Sequence, residues 1–225
     1  GIIGPNGAGK STLFHVIAGH LQPNSGRVLL RGEAIERLRP EQRAARGLGI
    51  VYQGARIFRG LTVRENIMVG AHCTARHGFF DAALRSPRCR REEKAIRARA
   101  DAVLEQVGLV ELGDRMAESL PLGQQRAMQL GTALAANPAV LLLDEPASGL
   151  RSAERRQFAR LLRDLCSQGM TLLLVEHDVA LVTSLSDKIT VLDLGCVIAE
   201  GSPAEIRADP RVIAAYLGTV EDEPS

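Results

Sequence analysis

A short stretch near the start of the chain places glycines, one lysine and one serine at a spacing that suits phosphate binding. Residues 4–11 read Gly-Pro-Asn-Gly-Ala-Gly-Lys-Ser, between the apolar residues 1–3 and the helical pattern of residues 10–18. Glycines allow backbone N–H groups to converge on phosphate oxygens, and the start of a helix adds partial positive charge. The Lys10 ammonium can lie beside the β- and γ-phosphates, and the Ser11 hydroxyl can bind Mg²⁺. The residues predicted to bind a nucleotide here are Gly4, Pro5, Asn6, Gly7, Ala8, Gly9, Lys10, Ser11 and Thr12.

Two adjacent carboxylates, Asp144 and Glu145, follow the apolar run of residues 140–143. An aspartate at the end of such a strand can hold Mg²⁺ through water, as in phosphoryl-transfer sites. Glu145 is then the candidate general base, because a rigidly held carboxylate can polarise a water beside the γ-phosphate. Alone, the two acids would be interpreted as a solvated turn. Together with the phosphate loop, they predict a site for ATP and Mg²⁺.

The rest of the chain alternates helical and strand patterns, which indicates an α/β fold around a mostly parallel central sheet. Apolar runs of strand length occupy residues 27–31, 48–52, 140–143, 171–175 and 188–192. Apolar residues at helical spacing occupy residues 10–18, 62–70, 92–107, 124–136, 153–166 and 179–185. The helical patterns in the middle of the chain predict a helical subdomain. Because only three residues precede the phosphate loop, we expect a small β-rich part of the fold to be truncated at the N-terminus.

The composition argues against several other classes of protein. Hydrophobic residues make up 45% and charged residues 24%, with a net charge of +2, so a clustered excess of Lys and Arg for binding nucleic acid is missing. The apolar runs are far shorter than the roughly 20 residues of a membrane helix. No CxxC pair occurs among the cysteines, which favours a reduced, cytosolic compartment. The cysteines are Cys73, Cys89, Cys166 and Cys196.

Four further segments occur in the order found in the ATPase subunits of ABC transporters, and the chain therefore resembles that family. They are Gln53, residues 120–126 (Leu-Pro-Leu-Gly-Gln-Gln-Arg), residues 148–150 (Ser-Gly-Leu) and His177. The resemblance implies a P-loop NTPase fold of the ABC type. It also implies that Gln53 senses Mg²⁺ and the attacking water, and that His177 contacts the γ-phosphate. The predicted catalytic residues are Glu145, His177 and Gln53, and the predicted metal ligands are Ser11, Gln53 and Asp144.

Residues 120–126 correspond to the signature segment of the family, which caps the ATP held by the opposite subunit. The resemblance thus implies a head-to-tail dimer in which Gly123 and Gln124 contact the partner's nucleotide. The usual sequence is Leu-Ser-Gly-Gly-Gln, whereas this chain has Pro121 in place of the serine. A hydrogen bond to a charged group contributes about 1.5–3 kcal/mol, so we expect weakened catalysis across the dimer. Arg151 stands where the family usually has aspartate or asparagine, in the loop that communicates between the two sites.

Within the ABC group, the chain is most similar to the ATPase subunits of branched-chain amino acid importers. Those subunits share the Gly-Gln-Gln-Arg ending of the signature segment. Residues 58–66 resemble the segment that follows their glutamine, and residues 209–218 resemble their C-terminal helix. The resemblance implies an ATP-binding and ATP-hydrolysing subunit of an importer for branched-chain amino acids. The expected division is a nucleotide-binding core of residues 1–60 and 137–218, a helical subdomain of residues 61–136 and a loose tail of residues 219–225.

The resemblance also implies partners and a location. The partners are a second ATPase subunit, in a homodimer or heterodimer, and transmembrane permease subunits, with a solute-binding protein acting indirectly. Binding to the permease would hold the chain on the cytoplasmic, inner face of the cell membrane. Residues 85–99 carry seven basic side chains, which we interpret as a solvated helix face or a permease-docking region, because no aromatic residues are interleaved for base stacking. No nucleic-acid partner is expected.

Two alternatives stay open at this point. The first is a soluble ABC ATPase of DNA repair or ribosome rescue, but such proteins usually carry long coiled-coil insertions or two cassettes, and the sequence has neither. The second is a catalytically weakened or non-catalytic nucleotide-binding module, which Pro121 and Arg151 would suggest. The intact phosphate loop, the acidic pair and His177 favour hydrolysis.

Overall fold

The computed structural model describes residues 1–54, 57–72 and 87–217. Its strands are β1 (Ile2–Ile3), β2 (Leu29–Leu30), β3 (Glu33–Ala34), β4 (Leu48–Val51), β5 (Val140–Asp144), β6 (Thr171–Val175), β7 (Ile189–Asp193) and β8 (Cys196–Gly201). The central sheet has the order β4-β5-β6-β1-β7-β8. Neighbouring strands pair in parallel, except for the antiparallel pair of β7 and β8. The predicted α/β fold with a mostly parallel sheet is confirmed, and β2 and β3 form a separate antiparallel ladder.

The helices of the described ranges agree with the predicted ones to within a few residues, apart from two short additions. They are α1 (Lys10–Ala18), α2 (Pro40–Ala45), α3 (Val63–His72), α4 (Pro87–Gln106), α5 (Leu122–Ala135), α6 (Ser152–Ser167), α7 (Val179–Leu185), α8 (Pro203–Ala208) and α9 (Pro210–Leu217). The sequence analysis missed α2 and α8, which are only six residues long. Helix α4 begins five residues earlier than the predicted residue 92. The prediction missed its first turn because that turn is rich in basic residues and shows no apolar period.

Strand β5 organises the core, because its side chains alternate between the two faces of the sheet. Leu141 and Leu143 pack into the cluster that contains α6, while Leu142 packs into the cluster that contains Phe14 of α1. All three leucines are fully buried. The sheet is therefore covered on both faces, and α1 is fixed on one of them.

The C-terminal end of α1 is closed by a buried arginine from α2. Gly19 ends the helix with a φ of 92°, a conformation that favours glycine. Arg43 Nη1 donates hydrogen bonds to the carbonyl oxygens of Val16 and Ile17 at 2.6 and 2.7 Å. A Cβ atom on Gly19 would lie 2.8 Å from Arg43 Nε, so the glycine also makes room for the guanidinium.

Helices α3, α4 and α5 pack against one another in the region predicted as a helical subdomain. A Cβ atom on Gly70 of α3 would overlap the carbonyl oxygen of Thr132 in α5, so α3 and α5 approach too closely for a larger residue at this position.

None of the helices in the described ranges combines the length and the apolar composition that a membrane span requires. Cys73, the start of the basic run 85–99 and the predicted tail 219–225 lie outside the described residues, and the proposed domain boundaries stay a prediction.

Candidate active site

The phosphate loop joins β1, in the interior of the sheet, to α1. Gly7 and Gly9 adopt φ values of 78° and 95°, in the left-handed region that side chains disfavour. A Cβ atom on Gly4 would overlap the carbonyl oxygen of Leu192 in β7. A residue with a side chain at any of these three glycines would therefore strain the backbone or clash with β7, so the loop conformation depends on them.

Lys10 lies within the loop, and its side chain is buried. Its Nζ donates hydrogen bonds to the carbonyl oxygens of Gly4 and Pro5 at 2.8 and 2.9 Å. Burial lowers the pKa of Lys10 below its usual value, and the nearby Glu145 carboxylate offsets part of this shift. Ser11 and Thr12 are exposed in the first turn of α1, where backbone N–H groups have no partner inside the helix. This set of donors fits the phosphates of a nucleotide.

Asp144 ends β5 and carries the electrostatic features expected of a cation ligand. The pKa of Asp144 is raised, first by burial and then by the charge of Glu145. His15 and a hydrogen bond from the Gln53 backbone oppose this shift. A divalent cation would offset the repulsion between the two carboxylates. Asp144, the Ser11 hydroxyl and the Gln53 amide supply the oxygen ligands that Mg²⁺ prefers. The hydrogen bond joins Gln53 to Asp144, whereas within the described ranges no hydrogen bond joins Ser11 to either residue.

Glu145 has an unusual backbone, with a φ of 42° at a residue that is not glycine. Its N–H donates a hydrogen bond to the carbonyl oxygen of Val175 at the end of β6, at 2.9 Å. A non-glycine residue in this region costs of the order of 1–3 kcal/mol and persists only where its surroundings fix it. Such strain is typical of residues held in place for catalysis.

The predicted catalytic residues meet around the carboxylate of Glu145. Gln53 Nε2 donates a hydrogen bond to Glu145 Oε2 at 2.8 Å, across 92 residues of sequence. His177 Nδ1 lies 3.6 Å from Glu145 Oε1. Each carboxylate oxygen therefore faces a different predicted partner. The side chain of His177 is 58% exposed, so it remains accessible to a substrate phosphate.

The signature segment forms the start of α5, with Pro121 as the residue before the first turn. Pro121 provides no side-chain cap for the helix. Gly123 and Gln124 lie in the first turn, and a Cβ atom on Gly123 would lie 3.1 Å from Glu154 Oε1 in α6. No hydrogen bond or ion pair recorded in the described ranges links this turn to residues 4–12.

Two buried charged residues next to the site were missed as site residues. Glu176, which is 1% exposed, accepts a hydrogen bond from the Ala147 N–H at 3.1 Å. Arg126, which is 4% exposed, donates from Nη2 to the carbonyl oxygen of Ser148 at 3.2 Å. The available signals were a glutamate directly before His177 and an arginine at the end of the signature segment. Neither signal reveals burial.

Fold and site together define a P-loop ATPase of the ABC type, and sequence comparison gives the family. Residues 1–148 match the profile of ABC transporters. Residues 196–222 match that of the branched-chain amino acid ATP-binding cassette transporter. The chain belongs to the ABC transporter family and is an ATPase coupled to transport.

Individual relatives cover almost the whole chain. It is 40% identical to the high-affinity branched-chain amino acid transport ATP-binding protein LivG of Escherichia coli K12, over 96% of this chain and 86% of LivG. It is 39% identical, with the same coverage, to BraF of Pseudomonas aeruginosa, which carries the same description. The lipopolysaccharide export system ATP-binding protein LptB of Haemophilus influenzae is 34% identical, over 97% of this chain and 85% of LptB.

Two solved structures support the fold. One is a nucleotide-free ATP-binding cassette from an ABC transporter, with a TM-score of 0.80 and 30% identity. The other is the ADP conformation of MJ1267, an ATP-binding cassette of an ABC transporter, with a TM-score of 0.80 and 31% identity. Each match covers 96% of this chain and 86% of the solved one.

Proposed function

We propose that this chain is the ATPase subunit of an importer for branched-chain amino acids. The main support for this substrate class is the 40% identity between this chain and LivG over 96% of the chain. The separate match of residues 196–222 to the branched-chain amino acid transporter profile supports it from a segment outside the phosphate loop and acidic pair. The solute itself would be selected by the permease and the solute-binding protein.

The nucleotide is held by its phosphates in this proposal. Lys10 exchanges the carbonyl oxygens of Gly4 and Pro5 for β- and γ-phosphate oxygens, and the backbone N–H groups of residues 4–12 donate to the phosphates. Ser11, Asp144 and Gln53 hold Mg²⁺, which neutralises phosphate charge when bound. The positive φ angles of Gly7 and Gly9 and the hydrogen bond from the Ala8 N–H to the Pro5 carbonyl oxygen give the loop the shape that orients these donors.

Glu145 acts as the general base. Its carboxylate accepts a proton from the attacking water, while the hydrogen bond from Gln53 and the nearby His177 ring hold its two oxygens in place. His177 contacts the γ-phosphate through the accessible part of its ring. This convergence of three residues argues against a module that only binds nucleotide, because binding alone does not require an oriented base.

The permease contacts the loop that follows Gln53. Phe58 in this loop is 52% exposed, whereas Asn66 of α3 is buried beneath it. The Phe58 N–H donates to Asn66 Oδ1 at 2.8 Å, and Asn66 Nδ2 donates to the Phe58 carbonyl oxygen at 3.1 Å. An exposed aromatic side chain on a fixed backbone suits a hot spot of a protein interface. Binding to the permease would therefore hold the chain at the inner face of the membrane.

The substrate class is tested by uptake in cells that lack their own branched-chain amino acid importer ATPase. The chain is expressed with its neighbouring permease and solute-binding protein, and uptake of labelled leucine, isoleucine and valine is measured. We expect uptake with the wild-type chain and none with Lys10→Ala. If the purified wild-type chain hydrolyses ATP but these amino acids are not taken up, the proposed substrate class is wrong.

A further inference from the structure

The loop after the general base is held from two sides by buried charges. We define the carboxylate loop as residues 145–150, which begin with strained Glu145 and include Gly149 at a φ of 78°. Internal hydrogen bonds join the Ser148 N–H to the Glu145 carbonyl oxygen at 3.1 Å and the Leu150 N–H to the Ala147 carbonyl oxygen at 3.2 Å. These turns fix the shape of the loop but not its position relative to other elements.

External contacts fix that position at two consecutive residues. Glu176, after β6, accepts the hydrogen bond of the Ala147 N–H, and Arg126, in α5, donates to the Ser148 carbonyl oxygen. Glu176 Oε2 also lies 3.7 Å from His177 Nδ1. The two charged side chains, which we call the buried pair, thus connect the carboxylate loop to the histidine turn on one side and to the signature helix on the other.

The electrostatics agree with a fixed arrangement. Burial lowers the pKa of Arg126, and the negative charge of Glu176 opposes that shift. Burial raises the pKa of Glu176, and the hydrogen bond from Ala147 opposes that shift. Arg126 and Glu176 interact through their charges and not through a direct ion pair, so removing one member leaves the other charge buried with less compensation, which destabilises a protein.

We propose that Arg126 and Glu176 are positioning residues for ATP hydrolysis, which hold the carboxylate loop so that Glu145 keeps its catalytic orientation. Neither residue contacts the substrate in this proposal. The inference rests on ATP hydrolysis at the site described above, so wild-type turnover is the baseline of its test.

The test separates positioning from simple loss of stability. Arg126→Met with Glu176→Met removes both charges together, so neither charge stays buried without the other, and apolar residues of similar volume in place of buried charges usually leave proteins folded. Glu176→Gln removes the charge but keeps an oxygen that can accept the Ala147 hydrogen bond. Arg43→Met is the matched control, because Arg43 is also a buried arginine that donates to backbone carbonyls, at the far end of α1.

The readouts are kcat and KM for ATP together with thermal unfolding. We expect the double variant to fold and to lose about 10- to 100-fold in kcat, as small misplacements of catalytic groups do, with KM changed less than about threefold. Glu176→Gln should keep kcat within about threefold of wild type, and Arg43→Met should lower the unfolding temperature while kcat is retained. Wild-type kcat in the double variant, an equal loss in Arg43→Met, or a loss in Glu176→Gln as large as in the double variant would overturn the proposal.

Discussion

At the residue scale, the backbone of Glu145 explains how one carboxylate can serve as an oriented base. Its φ of 42° and the hydrogen bond from its N–H to Val175 fix the start of the side chain. Gln53 and His177 then face separate oxygens of the carboxylate. Contacts within the chain therefore orient the carboxylate, which lowers the cost of reaching the transition state.

The first prediction concerns this base. Glu145→Gln should reduce phosphate release by about 100-fold or more, because general acid–base catalysis typically contributes 10²–10⁴-fold. Mg-ATP affinity should stay within a fewfold of wild type, since the phosphate loop is unchanged. Glu200→Gln is the matched control, because Glu200 lies in β8 and pairs with Lys188 at 3.0 Å, and its turnover should equal that of wild type. Unchanged phosphate release in Glu145→Gln would show that another group is the base.

A second prediction follows from the burial of Glu176, which raises its pKa in the folded chain above the ordinary glutamate value of 4.5. The folded state binds this proton more tightly than the unfolded state, so the contribution to stability is fully present below 4.5 and is lost as the pH rises through the folded pKa. The free energy of unfolding should therefore fall less steeply with rising pH in Glu176→Gln than in wild type, from about pH 4.5 upward. Urea unfolding at a series of pH values measures this, and parallel curves would contradict the assignment.

Residue identities at the site were largely predictable, but their mutual contacts were not. The phosphate loop, the acidic pair and His177 are recognisable from spacing and from the strands that precede them. Glu176 and Arg126 reach the carboxylate loop across 29 and 22 residues of sequence. Their importance depends on burial and on backbone partners, and a single sequence contains no local signal for either.

At the element scale, strand order explains why these residues meet. Strands β4, β5, β6 and β1 are successive neighbours in the sheet, and all four run parallel. Gln53, Glu145, His177 and the phosphate loop each follow the carboxyl end of one of these strands. Parallel strands bring those ends to one edge of the sheet, where ligands bind in open α/β folds.

Elements with strong apolar periods were predicted well, and elements formed by local capping were not. Helix α8 is defined by Ser202, whose hydroxyl accepts from the Glu205 N–H while the Glu205 carboxylate accepts from the Ser202 N–H. A six-residue helix of this kind has too few turns to show a period. Strand β8 was missed because most of its residues are exposed or half-buried, as is typical of a strand at the edge of a sheet.

The third prediction concerns the start of α5. Pro121 has extended backbone angles, φ −57° and ψ 154°, which a serine can adopt as a helix N-cap. Pro121→Ser should raise the stability of the protein by about 0.5–2 kcal/mol through this cap. It should also raise kcat by up to about tenfold, because the hydroxyl can donate to the partner's γ-phosphate. Pro121→Ala removes the ring without adding the hydroxyl, and an equal gain in that control would contradict the explanation.

At the scale of the whole molecule, the phosphate loop and the signature turn have no recorded hydrogen bond or ion pair between them in the described part of the chain. The family resemblance implies that a nucleotide on the phosphate loop obtains its signature contacts from a second copy. We propose that, in such a head-to-tail dimer, each complete site combines the loop of one subunit with Gly123 and Gln124 of the other. In this proposal hydrolysis requires association of the two subunits.

The fourth prediction tests this shared site by mixing two inactive chains. Lys10→Ala removes the phosphate charge of one subunit, and Gly123→Asp places a carboxylate beside the partner's phosphates. A mixed dimer has one site with both changes and one site with neither, so an equal mixture should recover about a quarter of wild-type turnover if subunits exchange freely. No recovery in a mixture shown to contain mixed dimers would contradict the head-to-tail arrangement.

The most direct test of the account is the affinity of the purified full-length chain for Mg-ATP, measured by calorimetry for wild type, Lys10→Ala and Lys188→Ala. Lys188 is an exposed lysine paired with Glu200, so its removal should leave the affinity unchanged. Lys10→Ala should weaken binding by about tenfold or more, because a hydrogen bond to a charged group contributes about 1.5–3 kcal/mol. The account predicts saturable binding by wild type and this selective loss. Absence of Mg-ATP binding by wild type, or equal affinity in Lys10→Ala, would contradict it.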